Sequence, residues 1–226
     1  MESTGDPDPR EVIGAIMLGD QLKATAHLGT GSFIGDGTVV LTNNHVVDGH
    51  TGQLYIAVII GGEPQAFPLT LLEADKDRDL ALLKVDGYTA ANPLRVLFDV
   101  HVSYNTDRVV LEYAQTQQLP TGQFLLNPAL RRGHKTRNVD FPLFGAIGGQ
   151  NAFELSFPSL AGASGAPVMI ENMPWTPPAN AWGIVAVLGA NNTFRALAGT
   201  AGEFLLPQGI GIDINHLKPL YNKVFA

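Results

Sequence analysis

GTGSFIGDGTVVLTNNHVV, residues 29–47, carries two apolar runs separated by the turn GDG at 35–37. Glycines flanking an aspartate between β-branched and aromatic residues mark a chain reversal between strands. The second run, TVVLT, ends in the polar residues Asn43, Asn44 and His45. That reads as a strand passing into a short helical turn. Nothing in the stretch has the three-to-four spacing of a helix face.

The same strand and turn style continues in both directions. VIGAIML (12–18) and KATAHLGTGSFI (23–34) lie upstream, and QLYIAVII (53–60), FPLTLLE (67–73) and LALLKV (80–85) lie downstream. GGEPQ (61–65) joins two of them as a hairpin. The second half repeats the style but not the sequence, with strand candidates RVVLEYA (108–114), QFLLN (123–127), FELSF (153–157), APVMI (166–170), WGIVAVL (182–188) and QGIGIDI (208–214). Only INHLKPLYNKVF (214–225) has a helical spacing, placing Ile214, Leu217 and Leu220 or Tyr221 on one side. Strand–helix alternation is missing, so the expectation is all-β with two lobes and a short C-terminal helix. The expected boundaries are a flexible tail over 1–10, a first lobe over 11–95, a connector over 96–107 and a second lobe over 108–226.

Composition agrees with this. The 226 residues include 25 Gly and 15 Pro, a supply of turn formers suited to many short strands. A net charge of −7 argues against a surface that binds nucleic acid. Cysteine is absent, which excludes disulfides, a thiolate nucleophile and cysteine-ligated zinc. The opening MESTGDPDPR lacks the basic and apolar regions of a secretory signal, and no apolar run has membrane-spanning length. The expectation is a cytoplasmic protein with no membrane and no nucleic-acid partner.

Three residues stand out for chemistry. His45 sits where a strand ends, so a rigid scaffold holds the ring while one edge stays open. Asp79 is the last charge of DKDRD before the apolar run LALL. A carboxylate there is partly buried and needs a donor such as an imidazole N–H. Ser164 lies in GASGAP (162–167). A serine hydroxyl is a poor nucleophile without a neighbouring base and a third group to fix that base. Glycine at 162 lets the backbone turn its own N–H toward the anion formed on attack, alongside that of Ser164, and Gly165 is expected to leave room for substrate.

GTGSFIGDGTVVLTNNHVV, DKDRDLALLKV and GASGAPV together resemble the chymotrypsin-like serine peptidases, most closely the compact, disulfide-free, HtrA-type branch, over about residues 12–216. The resemblance implies two six-stranded antiparallel β-barrels with a cleft between them. It implies a serine endopeptidase with His45 as base, Asp79 orienting it and Ser164 as nucleophile, and an oxyanion hole from the Gly162 and Ser164 amides. It calls for no cofactor and no metal, and its partner is a polypeptide substrate. Relatives activated by N-terminal trimming carry an aspartate where this chain has Ala163, so control is expected from loop ordering, a regulatory partner or a further domain. Aligned with the substrate-pairing strand of that family, WGIVAVL places Ala186, Val187 and Leu188 along the primary pocket. Pro158 stands where relatives specific for basic residues carry aspartate. The expected preference is a small or medium apolar residue before the cut.

The remaining signals have plainer readings. RRGHKTR (131–137) is the only basic cluster and is read as an exposed loop. ENMPWTPPANAW (171–182) is a Pro-rich connection in which Trp175 is the residue to test for partner binding, and Asn191-Asn192-Thr193 fits a glycosylation sequon. One competing reading is a peptidase-like binding module without turnover. Another is an α/β-hydrolase using Ser164, Asp213 and His216. It lacks the glycine two residues after the serine and the strand–helix alternation.

Overall fold

The structure is a computed structural model that describes residues 8–20, 23–139, 152–170, 182–196 and 204–226. The first lobe is built from β1 (Ile13–Asp20), β2 (Lys23–Ile34), β3 (Val39–Thr42), β4 (Gln53–Ile60), β5 (Glu63–Asp75) and β6 (Leu80–Val85). They form a closed antiparallel barrel in the order β1-β2-β3-β6-β5-β4, shut by pairing of β4 with β1. The turn GDG joins β2 to β3, with Phe33 opposite Val40. After β3 the chain makes one helical turn, α1 (Asn44–Val47).

The second lobe contains β8 (Asp107–Glu112), β11 (Ala129–Val139), β12 (Ala152–Leu155), β13 (Pro167–Ile170), β14 (Gly183–Ala196) and β15 (Phe204–Asp213). Their order is β13-β8-β11-β12-β15-β14, and an added β13–β14 pairing closes this ring as well. The fold is therefore two six-stranded antiparallel barrels. The short β7 (Arg95–Val96) runs parallel to β14, and β9 (Gln117–Gln118) with β10 (Phe124–Leu125) makes a small hairpin. After β15 the chain makes a 3-10 turn (Ile214–Leu217) and ends in α2 (Lys218–Phe225).

The packing explains why several strands read as unbroken apolar runs. On β8, Val109 and Leu111 belong to a core shared with the first barrel, whereas Val110 faces the interior of the second. On β14, Ile184 and Val187 join the shared core, and Val185, Ala186 and Leu188 join the second. A strand buried on both faces has no position left for a polar side chain. The shared core is also what presses the two barrels together and sets the site at their junction.

RRGHKTR is part of strand β11 rather than a loop, and its charges are largely paired. Arg131 bridges fully buried Glu112 at 2.8 Å, and Arg137 bridges buried Glu154 at 2.9 Å. Lys135 is buried, with Nζ donating to Val102 O at 2.9 Å. Trp175 and most of ENMPWTPPANAW lie outside the described residues. Among the described residues no helix is long and apolar enough to cross a membrane.

Candidate active site

The helical turn α1 presents His45 beside the start of β6. Asp79 holds it twice: Oδ1 accepts the His45 backbone N–H at 2.8 Å, and Oδ2 lies 2.7 Å from Nδ1. The carboxylate side chain is only 4% exposed, while the imidazole is 36% exposed. The acid is thus hidden while the ring stays partly open to solvent. Two donors to one buried carboxylate compensate its desolvation and fix the imidazole plane.

Asp79 reaches this position by an uncommon backbone conformation. Its φ is +54°, in the left-handed region, where aspartate is among the few non-glycine residues found. Its carbonyl accepts from Asn43 Nδ2 at 2.9 Å, and Asn43 is fully buried. Two residues of TNNH therefore serve the same aspartate: Asn43 holds its backbone and His45 takes its side chain.

Ser164 comes from the opposite barrel. Its carbonyl accepts from Thr30 N at 2.8 Å, which ties it to β2. A β-carbon on Gly29 would stand 2.8 Å from Ser164 O and 2.8 Å from the side chain of Val46, so the backbone of Ser164 and the residue after His45 pack against one glycine. Ser164 Oγ donates to Gly189 O at 3.4 Å. Gly189 in turn faces Asn43 Nδ2, 3.8 Å from its β-position. Ser164, Gly189, Asn43, Asp79 and His45 thus form a continuous set of neighbours across the junction.

Both glycines of GASGAP have left-handed φ, +89° at Gly162 and +88° at Gly165. A β-carbon at Gly162 would meet His27 Cε1 at 2.6 Å, and one at Gly165 would meet Thr30 O and Thr42 Oγ1 at 2.1 Å. Gly165 therefore makes room for the first barrel, where room for substrate was expected. Ala163, between the glycine and the serine, donates its N–H to Leu160 O at 2.9 Å. The amides of Gly162 and Ser164, on either side, donate to no group among the described residues.

The pocket strand differs from the expectation. Ala186, Val187 and Leu188 are all fully buried. Val187 is paired with Pro167 on one side and Ile212 on the other. Leu188 exchanges backbone hydrogen bonds with the serine loop, donating to Ala166 O and accepting from Gly165 N, each at 2.8 Å. These residues close the ring and offer no edge. The position beside Ser164 belongs to Gly189, at a register shift between Leu188 and Ala190. Beyond it, Ala190 to Ala196 pair with β15 alone among the described residues.

Among the described residues no hydrogen bond links Ser164 to Asp213 or His216. The side chain of Asp213 accepts from Asn215 N at 2.9 Å, capping the 3-10 turn that holds His216. Burial holds the His216 imidazole below its usual range. No group of three or more His, Asp and Glu among the described residues is arranged to hold a metal.

A family model described as trypsin-like peptidase domain matches residues 29–172. No curated protein matches the sequence. Among solved structures, the MamO protease domain from Magnetospirillum magneticum (apo form) superposes with a TM-score of 0.60 at 16% identity, covering 95% of this chain and 96% of that one. The Rv3671c protease from M. tuberculosis, in its active form, gives 0.62 at 19% identity, over 96% of this chain and 82% of that one. Deg5 gives 0.61 at 14% identity, over 96% and 90%.

Proposed function

We propose that this chain, which belongs to the trypsin-like peptidase domain family, is a serine endopeptidase acting through an acyl-enzyme on Ser164. The observation that carries the reading is the double hold of buried Asp79 on His45, with the Ser164 loop bonded to the adjoining strand β2. A buried carboxylate bonded to a partly open imidazole is an arrangement that orients the ring to act as a base, and this supports the reading.

In the mechanism, neutral His45 accepts the Ser164 proton as Oγ attacks the scissile carbonyl. Asp79 keeps Nδ1 protonated and stabilises the imidazolium that forms. The free amides of Gly162 and Ser164 receive the negative oxygen of the tetrahedral intermediate. His45 then protonates the leaving amine. Water, deprotonated by the same ring, releases the second product and restores Ser164.

A polypeptide substrate pairs with the edge that begins at Gly189, since Ala186 to Leu188 have none free. The side chain before the cut is small or medium and apolar. The sequence resemblance supports this, since it sets Pro158 where relatives specific for basic residues carry aspartate.

A fluorophosphonate probe tests the reading, followed by a peptide-library cleavage assay. The wild type takes the label and cleaves after apolar residues, and Ser164→Ala does neither. A well-folded wild type that takes no label would favour a binding module instead.

A further inference from the structure

We infer that the hydroxyl of Thr30, in the opposite barrel from the nucleophile, is the positioning group that aims the oxyanion loop. The inference rests on the peptidase reading of the site.

Thr30 is fully buried on β2 and bonds to both carbonyls that flank Ala163. Its backbone N–H donates to Ser164 O at 2.8 Å, and its Oγ1 donates to Gly162 O at 3.0 Å. The direction of the second bond follows from donor arithmetic. Tyr113 N–H already donates to Thr30 Oγ1 at 3.2 Å, so the one hydroxyl proton is left for the Gly162 carbonyl. Thr30 is itself anchored, because its carbonyl accepts from buried Thr42 Oγ1 at 2.7 Å.

The peptide joining Gly162 to Ala163 is consequently held at both ends. Its carbonyl is fixed by Thr30 Oγ1 and its N–H by Leu160 O. A peptide unit is planar, so two fixed ends set its orientation. The remaining freedom of Gly162 lies in its two backbone torsions, and the His27 ring and Ala114 Cα crowd one face of its α-carbon. With the 162–163 peptide held, the Gly162 amide on the preceding peptide has only those two crowded torsions through which to reorient. Without the hydroxyl, that carbonyl and the Tyr113 amide both lose a partner in a buried place, and the loop gains a reason to rotate toward one.

A role in aiming the loop alters the chemical step more than substrate binding. In Thr30→Val, which keeps the shape and removes the hydroxyl, kcat is expected to fall about 10- to 100-fold with KM little changed, somewhat less than the loss of an oxyanion donor itself. Thr30→Ser should recover most of the rate. A crystal structure of Thr30→Val should show the 162–163 peptide turned. If Thr30→Val does not fold, Thr30→Cys takes its place, since a thiol fills the volume but bonds weakly. Unchanged kcat, a KM rising in step with the loss, or no recovery in a folded Thr30→Ser would overturn the inference. Should the wild type take no fluorophosphonate, the peptidase reading fails. The crystal structure then decides alone: a turned peptide upholds the role of Thr30, and an unmoved one ends it.

Discussion

Asp79 binds His45 through two different atoms of the histidine, the backbone N–H and ring Nδ1, using one oxygen for each. One buried side chain therefore acts on both the position and the tautomer of the imidazole.

Asp79→Asn should lower turnover on the order of 10⁴-fold, because an amide nitrogen facing Nδ1 favours the wrong tautomer. Steady-state kinetics beside circular dichroism would check this. A kcat within tenfold of wild type would remove Asp79 from the mechanism.

Asn43→Ala should weaken the fold by about 1–3 kcal/mol, the cost of leaving a buried polar group unpaired, here the Asp79 carbonyl. Urea denaturation measures it. Activity should fall too, since the left-handed turn at Asp79 loses its tether.

The two glycines of the serine loop should respond differently to alanine. Gly165→Ala drives a methyl into Thr30 O and Thr42 Oγ1, which are anchored, so the expected result is a large loss of melting temperature. Gly162→Ala meets the edge of the His27 ring, so part of that crowding is relieved in Gly162→Ala/His27→Ala. Equal melting temperatures for the single and double variants would contradict this.

Acid should destabilise the protein through two half-buried histidines. Burial holds the imidazoles of His27 and His216 below their ordinary range. In the unfolded chain each takes up a proton near pH 6.5. Their depressed folded values mean stability is fully present above that pH and is lost as the pH falls from it through the folded values. Urea midpoints at pH 7.5 and 5 should differ, and less so in His27→Gln/His216→Gln. A drop of the same size in that variant would place the acid sensitivity elsewhere.

His45, Asp79 and Ser164 could be singled out as candidates because each marks a boundary: a strand ending, a charge run stopping, a cluster of small residues. The barrels were legible from apolar runs separated by turns. The strand beside the serine was not. A register shift at Gly189 moves the exposed edge past Leu188, and an irregularity of one residue leaves no trace in hydrophobic pattern. Thr30 was hidden for another reason. Its hydroxyl partner is 132 residues away, and a threonine between two glycines looks like a turn residue until the second barrel is in place. The two-residue β7 lay in a turn-rich segment whose parallel pairing depends wholly on β14.

The bonds from Thr30 to Gly162 and Ser164 also give the molecule a mechanical property. They are short crosslinks between bodies whose own strand ladders are each complete, so sliding one half against the other by an ångström would break them while leaving either half intact. Any ligand that wedges apart or clamps the junction, however far from Ser164, would thereby act as a throttle on the proposed hydrolysis.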